Sequence, residues 1–121
     1  MLCVTEVWEQ GQCRQTVKTP WGLADTVVTL GEVAEPDSLT YQVLSVATPS
    51  HGGIYVPREL LHHIPENRRA YAKRWSQSEC WYEEDCAWAA VCLAFPQLFP
   101  LDAHAQAEAI VARYIDKDAV N

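Results

Sequence analysis

The stretch TPSHGGIYVP, residues 48–57, marks the point at which the character of the chain changes. Before it, runs rich in β-branched residues predict buried strands at 24–30 and 40–48. Nearer the N-terminus, residues 2–8 and 13–18 flank a short polar turn and alternate in polarity, which predicts a β-hairpin. The first half of the chain therefore predicts an antiparallel sheet.

Beyond this stretch the sequence predicts helices. Proline begins two runs of good helix formers, 57–64 and 65–75, and proline is favourable at the first helical position. A third helix is expected at 81–95, and a fourth at 103–115 with Asp102 as its N-terminal cap. Strands followed by helices favour an α+β fold, in which an antiparallel sheet from the N-terminal half is covered by helices from the C-terminal half.

Length and composition are those of one globular domain spanning residues 1–121. Apolar residues make up 49% and charged residues 21% of the chain, and no apolar run approaches the ~20 residues that a membrane-crossing helix requires. The N-terminal sequence has no basic lead and no small-residue cleavage site, so we expect no signal peptide. The five cysteines form no paired framework, which is typical of free thiols in a reducing compartment. We therefore expect a cytoplasmic protein.

The formal net charge of −7 disfavours direct binding to nucleic acid, because an acidic protein repels phosphates. One basic cluster interrupts this acidity and consists of Arg68, Arg69, Lys73 and Arg74. We expect these residues to form a solvated face that offsets neighbouring acids, since charge runs mostly serve solubility. The alternative is a basic patch that grips an acidic partner. No membrane contact is expected.

One acid of the third predicted helix occupies an unusual position. At about 100° per residue, Asp85 falls in the middle of the apolar face of helix 81–95. A buried carboxylate needs hydrogen-bond donors, because an unpaired buried charge costs several kcal/mol. The turn at 50–53 offers an imidazole and two glycines, which are expected to adopt positive φ and to let the backbone approach. We expect Asp85 to hold this turn; the alternative partners are Arg58 or a base between residues 68 and 74.

Several residues in these stretches are candidates for catalysis. His51, assisted by Asp85 or Glu84, is a candidate general base, with Ser50 beside it as a candidate nucleophile. A thiol mechanism at Cys86 is disfavoured, because three acids precede it and negative charge opposes formation of the reactive thiolate. The competing interpretation is structural, since a turn held by a buried acid is more common than a catalytic pair of this kind.

The sequence contains no recognisable metal-binding motif and predicts no cofactor. Cys80, Cys86 and Cys92 are spaced so that they scatter around a helix instead of sharing one edge. His62 and His63 are adjacent, so we expect their side chains to point in different directions on a helix. We therefore expect no metal. The alternative is a mixed site formed by His51, Asp85 and Glu84.

Five tryptophans are numerous for a chain of this length. Trp81 and Trp88 are expected in the core. Trp21 lies in a turn that follows a predicted strand, and Trp75 lies beside the basic cluster. For these two residues, burial and a role as exposed aromatic anchors at a partner surface are equally consistent with the sequence.

Three motifs give the sequence a resemblance to a known family. They are TPWGLAD (19–25), ATPSHGGIYVP (47–57) and WYEEDCAWAAV (81–91), and the resemblance covers about residues 16–100. The family consists of small, uncharacterised domains of unknown function, carried largely by plasmids, phages and other mobile elements. No activity is established for the family, so the resemblance assigns no catalytic role to any residue. It implies that the motifs form a common site or a common structural brace, comprising Ser50, His51, Gly52, Gly53, Trp81, Tyr82, Glu83, Glu84, Asp85 and Cys86.

Charge and resemblance together favour a small, acidic, non-catalytic interaction protein of mobile-element type. Such a protein is expected to inhibit a host defence complex, as anti-CRISPR and antirestriction factors do, by meeting the basic groove that normally takes DNA or RNA. The expected partner is a protein, and the sequence leaves the oligomeric state open. The alternative is a small hydrolase or transferase that uses His51 with Asp85 or Glu84. The expected partner surface comprises Glu79, Glu83, Glu84, Trp21 and Trp75.

Overall fold

The computed structural model describes residues 2–118 of the chain. Met1 and residues 119–121, which belong to the predicted domain 1–121, lie outside the described part. The described part contains two antiparallel sheets followed by α-helices, with one late strand among them. The predicted α+β fold is confirmed, although the strands form two sheets instead of one. Within residues 2–118, no helix has the length and hydrophobicity needed to cross a lipid bilayer.

The first sheet confirms the predicted hairpin. It consists of β1 (Cys3–Glu9), β2 (Gln12–Thr19) and the short β3 (Gly22–Leu23), each antiparallel to the next. Gln10 and Gly11 form the hairpin turn, and both have positive φ (52° and 77°). Two-residue turns with this backbone conformation have the twist that closely paired antiparallel strands require.

The second sheet has four antiparallel strands: β4 (Thr26–Ala34), β5 (Thr40–Ala47), β6 (Gly52–Tyr55) and β7 (Trp81–Glu83). β4 and β5 confirm the strands predicted at 24–30 and 40–48, although β4 continues further, to Ala34. The pairing of these two strands is irregular at Gly31, where Leu98 lies in the space that a Cβ would fill.

β6 and β7 correct two sequence predictions. The sequence predicts a turn at 50–53 and a helix at 81–95, whereas strands begin at Gly52 and at Trp81. The helix prediction is wrong in its first half: residues 84–87 form a turn, and the helix begins only at Trp88. The physical reason is tertiary, because pairing with β6 satisfies the backbone of β7 and its aromatic side chains pack well on a pleated surface.

The helical part contains α1 (Glu66–Ser76), α2 (Trp88–Ala94), α3 (Leu101–Ile110), 3₁₀ segments at Arg58–His63, Pro96–Leu98 and Asp116–Asp118, and a π-helical turn at Val111–Ile115. α1 confirms the helix predicted at 65–75, with Pro65 immediately before it. The helix predicted at 57–64 is a 3₁₀ helix instead. α3 confirms a fourth helix, but Asp102 does not cap it: the capping position is Pro100, and no side chain caps the backbone there.

A continuous hydrophobic core joins the second sheet to the helices. Its fully buried side chains include Val43, Leu60, Tyr82, Val91 and Phe95. A smaller cluster holds α2 against α3 and includes Cys92, Ala107, Val111 and Ile115. Cys92 therefore behaves as a small hydrophobic residue, and burial raises the pKa of its thiol.

Two members of the basic cluster pair with acids as expected, but they are half-buried and not part of a solvated face. The Arg68 guanidinium donates to both carboxylate oxygens of Asp116, at 3.3 and 3.0 Å, and so ties α1 to the last helical segment. These hydrogen bonds hold the pKa of Asp116 below its usual value. Arg69 pairs with Glu79 at 3.1 Å. The other two bases of the cluster are exposed.

Tyr82 has a buried hydroxyl with no hydrogen-bond partner among the described residues. Its side chain is fully buried on β7, and burial raises the pKa of the phenol far above its usual value. An unsatisfied buried hydroxyl costs about 1–3 kcal/mol. We therefore expect Tyr82→Phe to leave the free energy of unfolding unchanged or to raise it by about 1 kcal/mol. Urea denaturation measures the change, with Tyr55→Phe on β6 as control. A loss above about 1 kcal/mol in the Tyr82 variant alone would mean that its hydroxyl does have a partner.

Candidate functional site

A pocket of about 390 Å³ opens on the surface where the family motifs meet α1. Its walls come from the turn between β2 and β3, the residue before β6, the helix α1, and the end of β7 with the turn that follows it. The lining residues are Trp21, His51, Tyr71, Trp75, Glu83, Asp85 and Cys86. All of them except the two on α1 belong to the three motifs, so this pocket is the candidate functional site.

The first wall of the pocket is the half-buried indole of Trp21. Its ring meets the buried ring of Trp81 edge-on, with the centroids 5.9 Å apart. Its six-membered ring also lies against Gly53, where a Cβ would come within 2.5 Å of the Trp21 Cη2 atom. These contacts fix the indole in place, so one edge of it belongs to the core while the ring lines the pocket.

A second wall is formed by two aromatic residues one turn apart on α1. Tyr71 and Trp75 pack edge to face, with their ring centroids 6.4 Å apart. Burial raises the pKa of the Tyr71 phenol, and the neighbouring Cys86 adds to the effect, so the ring is neutral at physiological pH. Trp75 is 60% exposed, so of the two alternatives left open by the sequence, burial is excluded for this residue. The Arg74 guanidinium lies over the Tyr71 ring, 5.8 Å from its centroid.

Glu83 organises the turn that forms the floor of the pocket. Its carboxylate accepts hydrogen bonds from three successive backbone N–H groups: Asp85 at 2.5 Å, Cys86 at 2.9 Å and Ala87 at 2.8 Å. These donors immediately precede α2, and negative charge is favourable near the N-terminus of a helix. The bracing acid of this region is therefore Glu83.

The prediction that Asp85 is the buried acid is wrong. Asp85 is exposed, and within residues 2–118 its side chain forms no hydrogen bond or ion pair with the 50–53 turn, with Arg58 or with the bases of residues 68–74. The helical periodicity that placed it on an apolar face does not apply, because residue 85 lies in the turn after β7. Its carboxylate instead lines the pocket, where it is available to a ligand.

The two motif stretches do form one unit, but through their backbones. Glu84 donates its N–H to the Gly52 carbonyl at 3.0 Å, and Gly53 lies opposite Glu83 in the strand register. Neither glycine has the expected positive φ. Their lack of a side chain serves close approach instead: a Cβ on Gly52 would lie 2.7 Å from the Glu84 Oε2 atom.

His51 lines the pocket without forming the predicted catalytic pair. It is exposed, and Thr48 holds its backbone by accepting from the His51 N–H at 3.1 Å and donating to the His51 carbonyl at 2.7 Å. In the described part of the chain, the His51 ring forms no hydrogen bond with Asp85 or Glu84. Ser50 is exposed and does not line the pocket.

The remaining predicted site residues divide between the core and other parts of the surface. Trp81 is buried as expected, whereas Trp88 is only half-buried and packs near Phe99. Cys86 is half-buried at the pocket wall. Glu79 is held by its ion pair and lines a different surface depression, so the structure does not bring it together with the pocket acids.

Sequence reasoning missed a second cluster, formed by Glu35, His62 and His63. The expectation that the two histidines point in different directions is wrong: their ring centroids are 4.1 Å apart, and both rings approach the same Glu35 oxygen. They lie at the end of a 3₁₀ helix instead of an α-helix. The adjacent histidines are a visible signal in the sequence, but the acid that completes the cluster is distant along the chain.

The fold and the pocket define the class of this protein: a small α+β domain whose surface pocket is walled by aromatic rings and carboxylates. The chain belongs to the DUF7007 family, a domain of unknown function, whose family model matches residues 14–119. This membership confirms the resemblance to a domain-of-unknown-function family, over a longer region than the motifs indicate. Searches of the curated proteins and of the solved structures gave no significant match.

Proposed function

We propose that this domain is a non-catalytic protein-binding module whose pocket receives a cationic side chain, arginine or lysine, from a basic partner. The observation that carries the proposal is the convergence of aromatic rings and carboxylates on one concave site. Aromatic faces attract cations through their quadrupole, and a nearby carboxylate adds a direct charge interaction. The groups that supply these interactions are Trp21, Trp75, Glu83 and Asp85; Tyr71 also lines the pocket, but the Arg74 guanidinium already lies over its ring.

The size of the pocket suits one side chain. At about 390 Å³ it is near the lower end of the range for ligand pockets, about 300–1,000 Å³. Trp21 is fixed by the core, so the cation meets a wall that is already ordered before binding. Preorganisation of this kind lowers the entropic cost of binding.

The two carboxylates of the pocket have different roles in the proposed interaction. Both oxygens of Glu83 accept backbone hydrogen bonds, so Glu83 contributes charge at a fixed position. Asp85 is exposed and is the acid that pairs directly with an incoming guanidinium or ammonium. The net charge of −7 steers a basic partner towards the domain.

We propose further that the partner is a nucleic-acid-binding complex of a host defence system, and that the domain inhibits it as anti-CRISPR or antirestriction proteins do. An acidic surface with aromatic anchors competes with nucleic acid for basic grooves, because it offers negative charge and stacking surfaces of the same kind. The resemblance of the motifs to domains of mobile elements supports this choice of partner. The alternative of a small hydrolase or transferase using His51 with Asp85 or Glu84 has less support, since among the described residues the His51 ring forms no hydrogen bond with either acid.

The proposed function is tested by binding of an arginine-rich peptide to the purified domain, followed by tryptophan fluorescence or NMR. We expect salt-dependent binding that weakens roughly tenfold or more in Asp85→Lys, since an attractive charge interaction at the pocket is replaced by a repulsive one. Glu108→Lys, an exposed charge reversal on α3, is the matched control and is expected to bind like the wild type. Equal weakening in both variants would mean that the overall charge, and not the pocket, attracts the peptide.

The same pair of variants identifies the partner. Affinity capture from host lysate is compared between wild type, Asp85→Lys and Glu108→Lys, and a true partner is lost only from Asp85→Lys. Neither variant should change the thermal midpoint appreciably, because both side chains are exposed. Loss of a measured turnover in His51→Ala, with peptide binding retained, would instead favour the hydrolase.

A further inference from the structure

The cluster of Glu35, His62 and His63 has the arrangement of a metal site. Glu35 follows β4 directly, and the two histidines end the 3₁₀ segment Arg58–His63. The Glu35 Oε1 atom lies 3.0 Å from Nε2 of His63 and 3.4 Å from Nε2 of His62. One ligand atom from each residue lies within 4.8 Å of the other two.

We propose that these three residues bind a divalent transition-metal ion, Zn²⁺ in the first instance. Zinc binds imidazole nitrogen and carboxylate oxygen at about 2.0–2.2 Å in tetrahedral geometry, so neighbouring ligand atoms are about 3.3–3.5 Å apart. The separations of 3.0 and 3.4 Å from the Glu35 oxygen are close to this spacing. The ligand nitrogens of the two histidines lie within 4.8 Å of each other, so an ion can bind between the three atoms after adjustment of these exposed side chains.

The donor set selects the kind of ion. Two imidazoles and one carboxylate suit zinc and similar borderline metals, whereas calcium and magnesium prefer all-oxygen sites. Three protein ligands leave a fourth position for water, the pattern of sites that are open to further ligands. The His62 side chain is 62% exposed, so the fourth position is accessible from solvent.

The carboxylate of the cluster is already held in place for a cation. The Glu35 side chain is only 7% exposed, and a buried carboxylate is costly unless positive charge or donors compensate it. Its backbone is fixed by hydrogen bonds to the tight turn before β5, from Ser38 N–H to the Glu35 carbonyl and from Glu35 N–H to the Leu39 carbonyl, both at 3.0 Å. The His63 ring is held in turn by edge-to-face packing on Phe95, at 5.6 Å.

Further acids near the cluster strengthen the local negative potential. Asp37 accepts a hydrogen bond from the Tyr41 hydroxyl at 2.9 Å. This hydrogen bond is the main cause of a raised pKa at Tyr41, to which the charges of Asp37, Glu59 and Glu35 also contribute. The cluster shares no residue with the aromatic and acidic pocket, so this inference stands apart from the proposed function.

The test is titration of Zn²⁺ into the full chain after chelator treatment, by calorimetry, with Co²⁺ absorption as a second readout of tetrahedral geometry. Cys3 and Cys13 are exposed thiols, so the titration uses a Cys3→Ser/Cys13→Ser background. We expect one equivalent of zinc per chain. His62→Asn and Glu35→Gln are each expected to lower the affinity by at least about tenfold, since even outer-shell changes cost that much.

His51→Asn is the matched control, because it removes an exposed imidazole away from the cluster. It is expected to retain full affinity and to show the same rise in thermal midpoint on zinc addition as the background protein. His62 is largely exposed, so its variant should fold and is decisive even if Glu35→Gln does not fold. Absence of one-equivalent binding, or binding unchanged in His62→Asn, would overturn the site.

Discussion

Gly53→Ala is expected to destabilise the domain by about 3 kcal/mol, the upper part of the usual range for overpacking. An added Cβ would lie 2.5 Å from the Trp21 Cη2 atom and 2.6 Å from the Tyr82 carbonyl oxygen. The carbonyl belongs to the backbone of β7, which is paired with β6 at this position, so it moves only if the pairing is disturbed. The indole is held by its edge-to-face contact with Trp81, so it can yield only towards the pocket, at the cost of that contact.

Gly52→Ala is the matched control for this substitution. Its Cβ would meet the Glu84 Oε2 atom at 2.7 Å, but that atom ends a flexible, exposed side chain, and the nearest backbone oxygen, of Val46, is 3.1 Å away. We expect a cost of about 1 kcal/mol there. Urea denaturation measures both losses, and tryptophan fluorescence is expected to shift only in Gly53→Ala. Equal losses in the two variants would contradict the role given to the Trp21 contact.

The secondary-structure elements that are set by residues adjacent in the sequence could be predicted correctly. The alternation of polar and apolar residues on both sides of Gln10 and Gly11 predicts the hairpin. The twist of the paired strands requires a turn with positive φ, which these two residues adopt. Pro57 and Pro65 correctly indicate helical starts, although each lies at the capping position, one residue before the first helical position predicted for it. These features need no knowledge of what lies elsewhere in the chain.

β7 was predicted as helix because a short segment rich in large apolar residues fits both the helical period of about 3.6 residues and the strand period of about two. Trp81, Tyr82 and Glu83 become a strand through hydrogen bonds to β6, about thirty residues earlier in the chain, and no local signal reports that pairing. Applying the helical period to this segment placed Asp85 on a buried face, which is wrong. The true bracing acid is two residues away, on the strand that the sequence did not predict.

The candidate site could be predicted only where one motif meets another. Joining the glycine stretch to the acidic stretch is correct, and Trp21 enters the same pocket from a third motif. Tyr71 was missed, because it lies outside the motifs and reaches the pocket through the packing of α1. Glu35 and His63 were missed for a similar reason, since 28 residues separate them and only the folded chain brings them together.

Glu83→Ala is expected to lower the free energy of unfolding by about 3 kcal/mol. Three backbone N–H groups lose a charged acceptor at once, and hydrogen bonds to charged groups are worth about 1.5–3 kcal/mol each, less here because the site is only half-buried. The loss should be local as well as global: amide hydrogen exchange is expected to quicken at residues 85–87 and at the start of α2. Peptide binding should fall with it, because this turn holds Asp85 at the pocket.

Two further variants separate the hydrogen bonds of Glu83 from its charge. In Glu83→Gln the amide oxygen can replace Oε1, which accepts from Cys86 and Ala87, while the amide nitrogen would face the Asp85 N–H donor. We therefore expect a loss of about half that of Glu83→Ala. Glu84→Ala removes the neighbouring exposed carboxylate and should change stability by less than about 0.5 kcal/mol. Equal losses in Glu83→Ala and Glu84→Ala would mean that the turn holds itself, and that Asp85 reaches the pocket without the support of Glu83.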